Sequence, residues 1–401
     1  MLHTFRTILV TLFGIIINSI GICTEPVKNA TFSLTDEVIV KPKDIFIRKM
    51  VISPDGKMAY VVGEEYVEPT EEPNPNVPVP DVLVPKGYIV DFTKKTTKEF
   101  LNGHKRPITD MSRTPDGRYI YTISSTTESN VRIWDVVNEK STLHAEFVPD
   151  ELYESSHLEM ALLPKRGGVA APLKGKVALT AKLKADRFDL GGEPFKDTIL
   201  CNPTVDHKEG FLACNTFEGD ILIWDIEKLD FTARIKPFPN RILDSPDNYS
   251  IVDMKFSNTS KTLYYARIGK DDEVPEDERT KEDKVAADKR GIWVVDIEAE
   301  TIKPLGFGTT CRTEHFALDP TDRWMAVLGT SYPDDDKKVN GQLLKVTELR
   351  IYDMKSKTLV HRKQFKEFRP GHILFSDDGK KLVCADPFGE VRSWSISLTG
   401  K

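Results

Sequence analysis

Most marks of an enzyme or of a nucleic-acid binder are missing from this chain. It has no nucleophile elbow, no phosphate-cradling glycine loop, no HExxH helix and no CxxC pair. Gly167-Gly168 and Gly191-Gly192 lack the flanking spacing of phosphate loops and read as turns. Positive charge is not in excess: the formal net charge is -6, which argues against a phosphate-backbone partner, so no nucleic acid is expected. Long apolar runs are also missing. The run over residues 8–22 falls short of the roughly 20 residues that span a bilayer. Apolar content of 39% with 29% charged residues is ordinary for a globular protein, and 24 Gly and 25 Pro supply turns for many short strands.

That apolar run follows His3 and Arg6 and ends beside the small Gly21. It reads as a secretory signal peptide over residues 1–23, cleaved near Cys23 and leaving no stable membrane span in the mature form. An uncleaved anchor, a lipid-modified Cys23 and a buried N-terminal helix are the alternatives. The expected location is secreted, periplasmic or envelope-associated. Acceptor triplets for N-glycosylation at Asn29, Asn248 and Asn258 add weak support in a eukaryote and none in a bacterium. Cleavage would leave Cys201, Cys214, Cys311 and Cys384. Cys214 and Cys384 occupy one repeat position in different units, so they are too far apart to bridge and read as small buried hydrophobes.

What the chain has is repetition. Ile133-Trp134-Asp135 and Ile223-Trp224-Asp225 close two strand-like runs. Weaker copies end at Asp91, Asp189, Asp296 and in Tyr352-Asp353, and another holds Trp394. A second element precedes each of these runs. Ser53-Pro54-Asp55-Gly56 matches Thr114-Pro115-Asp116-Gly117 and Ser376-Asp377-Asp378-Gly379, with looser copies from Ser257 and Asp319. Proline favours the first turn position and glycine tolerates positive φ, so each is a tight hairpin turn. Apolar alternation follows every one.

This order resembles the WD-repeat family. Gly103-His104 precedes Trp134-Asp135 as that family's GH and WD dipeptides do. The resemblance implies an all-β, seven-bladed β-propeller. Units run over about 44–101, 108–147, 157–196, 197–236, 250–306, 312–366 and 369–397, the third with the least turn chemistry. The last unit stops after its third strand. A strand-like stretch at about 31–40, within an N-terminal segment 24–43, is expected to complete it and close the ring formed by residues 44–401. The tryptophans at one register position (Trp134, Trp224, Trp394) are expected to pack between blades.

Long insertions at 64–86, 269–289 and 330–345 all fall between second and third strands and so leave one face of the disc. The charged run 270–290 mixes signs and reads as a solvated loop. The leading functional reading is a monomeric, non-enzymatic scaffold, without cofactor, metal or catalytic residues, binding a protein partner through loops on one face. The alternative is an enzyme with a metal- or quinone-dependent site at the mouth of the central channel. His157, Glu159, Arg312, Glu314, His315, Arg369 and His372 are its candidates, with Asp110 and Asp253 nearby.

Overall fold

The computed structural model describes residues 31–42, 45–67, 82–100, 103–124, 130–146, 160–163, 167–173, 176–181, 186–191, 198–216, 219–237, 249–259, 262–269, 291–307, 312–331, 338–339, 342–343 and 346–399. These form seven antiparallel four-stranded sheets. The first blade is Phe46–Ile52, Met58–Val67, Val82–Asp91 and Thr96–Glu99. The second is Ile108–Arg113, Tyr119–Ser124, Asn130–Asp135 and Lys140–Glu146. The third is Ala161–Leu163, Gly168–Leu173, Lys176–Ala181 and Asp186–Gly191. The fourth is Leu200–Val205, Phe211–Thr216, Ile221–Asp225 and Asp230–Ile235. The fifth is Tyr249–Phe256, Thr262–Gly269, Gly291–Asp296 and Thr301–Pro304. The sixth is Arg312–Leu318, Trp324–Ser331, Val346–Asp353 and Thr358–Phe365.

The seventh blade takes three strands from the end of the chain, His372–Phe375, Lys381–Ala385 and Val391–Thr399, and its outer strand, Thr31–Val40, from the beginning. Phe32 pairs with Leu398 and Val40 with Val391 in an antiparallel ladder. Contacts between innermost strands run from each blade to the next and from the seventh back to the first, so the ring is closed. The closing strand reaches a second blade too: Glu37 meets Arg392 at 3.1 Å in its own blade and Lys363 at 3.1 Å in the sixth. Phe32 is buried with its ring 5.2 Å from that of Trp324. Residues 1–30, which hold the expected signal sequence, lie outside the described residues.

Two local devices recur from blade to blade. The hairpin after the innermost strand is held by a side-chain acceptor at its first position. Ser53 Oγ accepts from Met58 N at 2.9 Å and donates to Asp55 Oδ1 at 2.7 Å, while Gly56 sits at φ +64°. Ser376 repeats this with Lys381 N, and Asp206 and Asp319 carboxylates replace the hydroxyl toward Phe211 N and Trp324 N. The proline also serves the neighbour, because a Cβ at Gly117 would lie 2.6 Å from Pro54 of the preceding blade.

The second device is the aspartate that ends the third strand. Asp135 accepts from Val137 N and Asn138 N at 3.0 Å, and Asp353 accepts from Lys355 N at 2.8 Å. Asp91, Asp225 and Asp296 act alike. Four residues after each aspartate the chain enters positive φ, at Lys95, Glu139, Leu229, Glu300 and Lys357. The aspartate is therefore a turn cap, and it stabilises a left-handed residue that is not glycine.

The core lies between blades. Trp134 stacks on Phe100 of the first blade at 4.3 Å and meets Tyr60 edge-on at 5.9 Å. Trp224 packs with Leu163, Val177 and Leu179 of the third blade, and Trp394 with Leu349 and Phe365 of the sixth. All three are essentially buried, as are Cys214 and Cys384 in second strands of different blades. Burial pushes the Cys384 thiol far above the ordinary cysteine range. Cys311 lies outside the described residues.

The third blade corrects the sequence reading. Arg187 to Leu190 was expected to end a third strand, but it lies in the outer strand, and Lys176–Ala181 is the third. The second strand, Gly168–Leu173, is buried at every position, so it shows no alternation to read. The insertion in the first blade is also shorter than expected. Its flanking strands pair out to Val67 and Val82, leaving residues 68–81 outside the described set.

Candidate functional site

A cavity of about 780 Å³ opens along the central channel, lined by innermost strands of the first five blades. The strands are not straight there. In the first, second, fourth, fifth and sixth blades the ladder slips at Arg48, Thr109, Asn202-Pro203, Val252 and Glu314. A bulge leaves one residue unpaired and re-aims the next. The position four residues before each turn therefore faces the channel or the neighbouring inner strand. Counting back from Ser53, Thr114, Asp206, Ser257, Asp319 and Ser376, it is Lys49, Asp110, Asn202, Asp253, His315 and His372. His157 and Glu159, the candidates before the third blade, lie outside the described residues.

These side chains tie the inner strands together. Asp110 accepts from Met111 N at 2.8 Å and from Met160 N of the next blade at 2.7 Å, and it receives Lys49 of the previous blade at 3.0 Å. Asp253 accepts from Phe316 N of the next blade at 3.1 Å and from Lys255 at 3.1 Å. Asn202 donates to the Ile251 carbonyl at 3.2 Å. Burial works against the ionised Asp253, but the Lys255 charge and the nearby His315 outweigh it and hold its carboxyl well below the usual range.

His315 Nδ1 lies 3.8 Å from Asp253 Oδ2, beyond hydrogen-bond reach, and its ring is 5.8 Å from that of His372. Burial holds the His372 imidazole well below the ordinary histidine range. Neighbouring His315, Lys49 and Lys255 act in the same direction, against a hydrogen bond with the Arg48 backbone. His372 is therefore neutral at physiological pH and shaped for contact rather than charge.

The remaining sequence candidates do not join this group. Glu314 occupies the bulge and accepts from Thr330 Oγ1 at 3.0 Å in its own blade. Arg369 is exposed in the connection that enters the seventh blade. Arg312 begins the innermost strand of the sixth blade, but its side chain lies outside the described residues. Among the described residues, no three His, Cys, Asp or Glu side chains converge to hold a metal ion. Sequence reasoning missed Lys49 and Asn202, although counting back from each turn would have found both.

No family model matches the sequence. Human WD repeat and HMG-box DNA-binding protein 1 is 25% identical over 153 residues, 37% of this chain and 13% of that protein. The chain thus matches only about an eighth of that relative's length. The β-propeller domain of Cps50 (Swd1) from Myceliophteria thermophila superposes with a TM-score of 0.55 at 14% identity, covering 90% of this chain and all of that one. A chain of the Mitotic Checkpoint Complex superposes with a TM-score of 0.60 at 11% identity, covering 93% and 95%. The chain is a seven-bladed β-propeller with divergent WD-type repeats.

In this WD-repeat propeller the repeat dipeptides hold structure. Gly103 adopts φ +75°, and buried His104 Nε2 lies 2.9 Å from Thr122 Oγ1 on the second strand of the second blade. Asp135, Asp225 and Asp353 cap turns, Trp224 and Trp394 fill interblade seams, and Tyr352 stacks on Phe307 of the fifth blade at 4.3 Å. Asn258 is also engaged: its Nδ2 donates to the Asp319 carbonyl at 2.9 Å and to Asp322 Oδ1 at 3.1 Å. A sugar on that nitrogen would displace an interblade turn contact. Asn29 and Asn248 lie outside the described residues.

Proposed function

We propose that this WD-repeat propeller is a non-enzymatic scaffold that binds protein partners through one face, in an extracytoplasmic compartment reached through its N-terminal signal sequence. The observation that carries the reading is the use of the channel's polar ring. Asp110 and Asp253, the groups best suited to acid-base work there, spend their oxygens on backbone N–H groups of the next blade and on lysines. The long connections support the choice of face, because all three interrupt the link between second and third strands. Similar propellers include a chain of an assembly, the Mitotic Checkpoint Complex.

The competing reading, an enzyme at the channel mouth, draws on the His315–His372 pair at 5.8 Å. Purification of the tagged protein from its own cells, with crosslinking mass spectrometry and metal and absorption analysis, separates the two. The scaffold reading expects a partner at fixed ratio, retained after His315→Ala, with crosslinks on the face of the long connections. A stoichiometric metal or chromophore lost in His315→Ala and His372→Ala would overturn it. The same fractionation tests location: protein recovered only with cytoplasmic markers and an intact residue 1–23 segment would refute the signal.

A further inference from the structure

We infer that Phe46 and Phe388 form the docking point of this face, and that its partner is a short linear segment with an aromatic or aliphatic residue flanked by acidic side chains. The inference rests on the scaffold reading. Phe46 is 41% exposed and Phe388 69%, yet their rings meet edge-on at 6.3 Å across the seam between the first and seventh blades. Phe46 opens an innermost strand and Phe388 sits in the turn between second and third strands, so both lie on the face from which the long connections leave.

The backbone beneath them is held firmly. Ile47 N donates to the Pro387 carbonyl at 2.8 Å, and Glu390 N donates to Asp386 Oδ1 at 2.8 Å. Gly389 takes φ +93°, and a Cβ at Gly63 would lie 1.9 Å from the Phe46 carbonyl oxygen. Phe388 is among the most exposed large apolar side chains of the described residues. An exposed aromatic pair on a rigid seat loses little freedom on binding, as anchor residues at interfaces do.

Charge selects the partner. Lys41 is 68% exposed over Glu390 at 13%, and Arg48 is 39% exposed over Glu64 at 5%. The guanidinium of Arg48 also lies over the Phe46 ring, 4.8 Å from its centroid. In both pairs the cation faces solvent and the carboxylate faces inward. Arg369 adds a further exposed cation two residues before Gly371, which faces Pro387. Lys41, Arg48 and Arg369 are therefore the more exposed charges beside the rings, which favours acidic flanks on the partner.

Selection of random linear peptides displayed on phage against the intact protein tests this, with affinities of the enriched peptides then measured by fluorescence anisotropy. The expected winners carry Phe, Trp or Leu between Asp or Glu residues. They weaken at least about tenfold on Phe388→Ala, as truncating an anchor aromatic does, and weaken with salt and on Arg369→Glu. Melting temperature stays unchanged in Phe388→Ala. Enrichment of basic peptides, of none, or of peptides indifferent to Phe388→Ala would overturn the assignment. A co-purifying protein partner that binds Phe388→Ala as tightly as the native protein would refute the patch and leave the scaffold reading standing. Failure to recover any partner, with or without the substitution, would refute both.

Discussion

The third and seventh blades have the same four-stranded plan and almost nothing else in common. The seventh carries the Ser-Asp-Gly turn, a buried tryptophan, a third strand of 9 residues and a closing strand of 10. The third has an innermost strand of 3 residues, no tryptophan, and Ala161, Ala170, Ala171 and Ala178 in its core. Its large contacts come from neighbours, with Trp224 of the fourth blade on one side and Tyr121 and Ile133 of the second on the other. A blade thus needs to be a close-packed wedge, and its repeat motif is expendable where adjacent blades supply the bulk.

The largest contrast is expected from removing the closing strand. A chain beginning at Lys43 keeps every recognisable repeat but strips the ladder from Val391–Thr399 and exposes the pocket of Phe32. It is expected to be insoluble, or less stable by on the order of 5 kcal/mol or more, whereas one beginning at Thr24 should stay soluble and keep its stability. Solubility and thermal melting of the two decide it. Equal behaviour would mean the seventh blade does not depend on its outer strand.

Removing a seam tryptophan comes next. Trp224→Ala should cost roughly 3–5 kcal/mol in denaturant unfolding, because the third blade has no side chain large enough to fill the cavity. Ala170→Leu tests the wedge from the opposite direction. Ala170 is fully buried, so the added volume should cost about 1–3 kcal/mol by overpacking. A neutral result would mean the third blade is loosely packed rather than filled with small residues.

The smallest expected effect concerns the turns that the third blade lacks. At Asp55 partial burial would raise the carboxyl, but hydrogen bonds from Lys57 and Ser53 outweigh it and hold it at about 2 against an ordinary 3.8. Hydrogen bonding to Thr114 lowers Asp116. At Asp378 bonds from Ser376 and Lys380 overcome burial. Each group has a depressed folded pKa, so its contribution is present above the unfolded value and is lost as pH falls through the folded one. Melting temperature should decline below about pH 4 toward pH 2, and Asp55→Asn with Asp116→Asn and Asp378→Asn should flatten that decline. An unchanged slope would show that other carboxylates dominate.

Much of this was legible in the sequence, and the reason is local chemistry. Ser53, Asp55 and Gly56 close their turn within a few residues, and Asp135 caps its own turn, so such features announce themselves wherever they recur. The same counting exposed the missing outer strand of the last blade. The third blade was unreadable because Gly168–Leu173 is buried on both faces, leaving composition without period.

The sequence by itself determined the repeat, the need for Thr31–Val40 at the far end of the chain and, outside the third blade, the strand order and turn positions. Each follows from hydrogen bonds and apolar alternation spanning a few residues. Only the tertiary structure decided which side chains meet. Bulges at Arg48, Thr109, Val252 and Glu314 move the channel position on by one residue, bringing Lys49 to Asp110 and withdrawing Glu314 from the group. Phe46 and Phe388, 342 positions apart in the chain, become one exposed pair because the ring closes between them. Such contacts depend on how seven wedges fit around one axis, a geometric condition that no short stretch of sequence records.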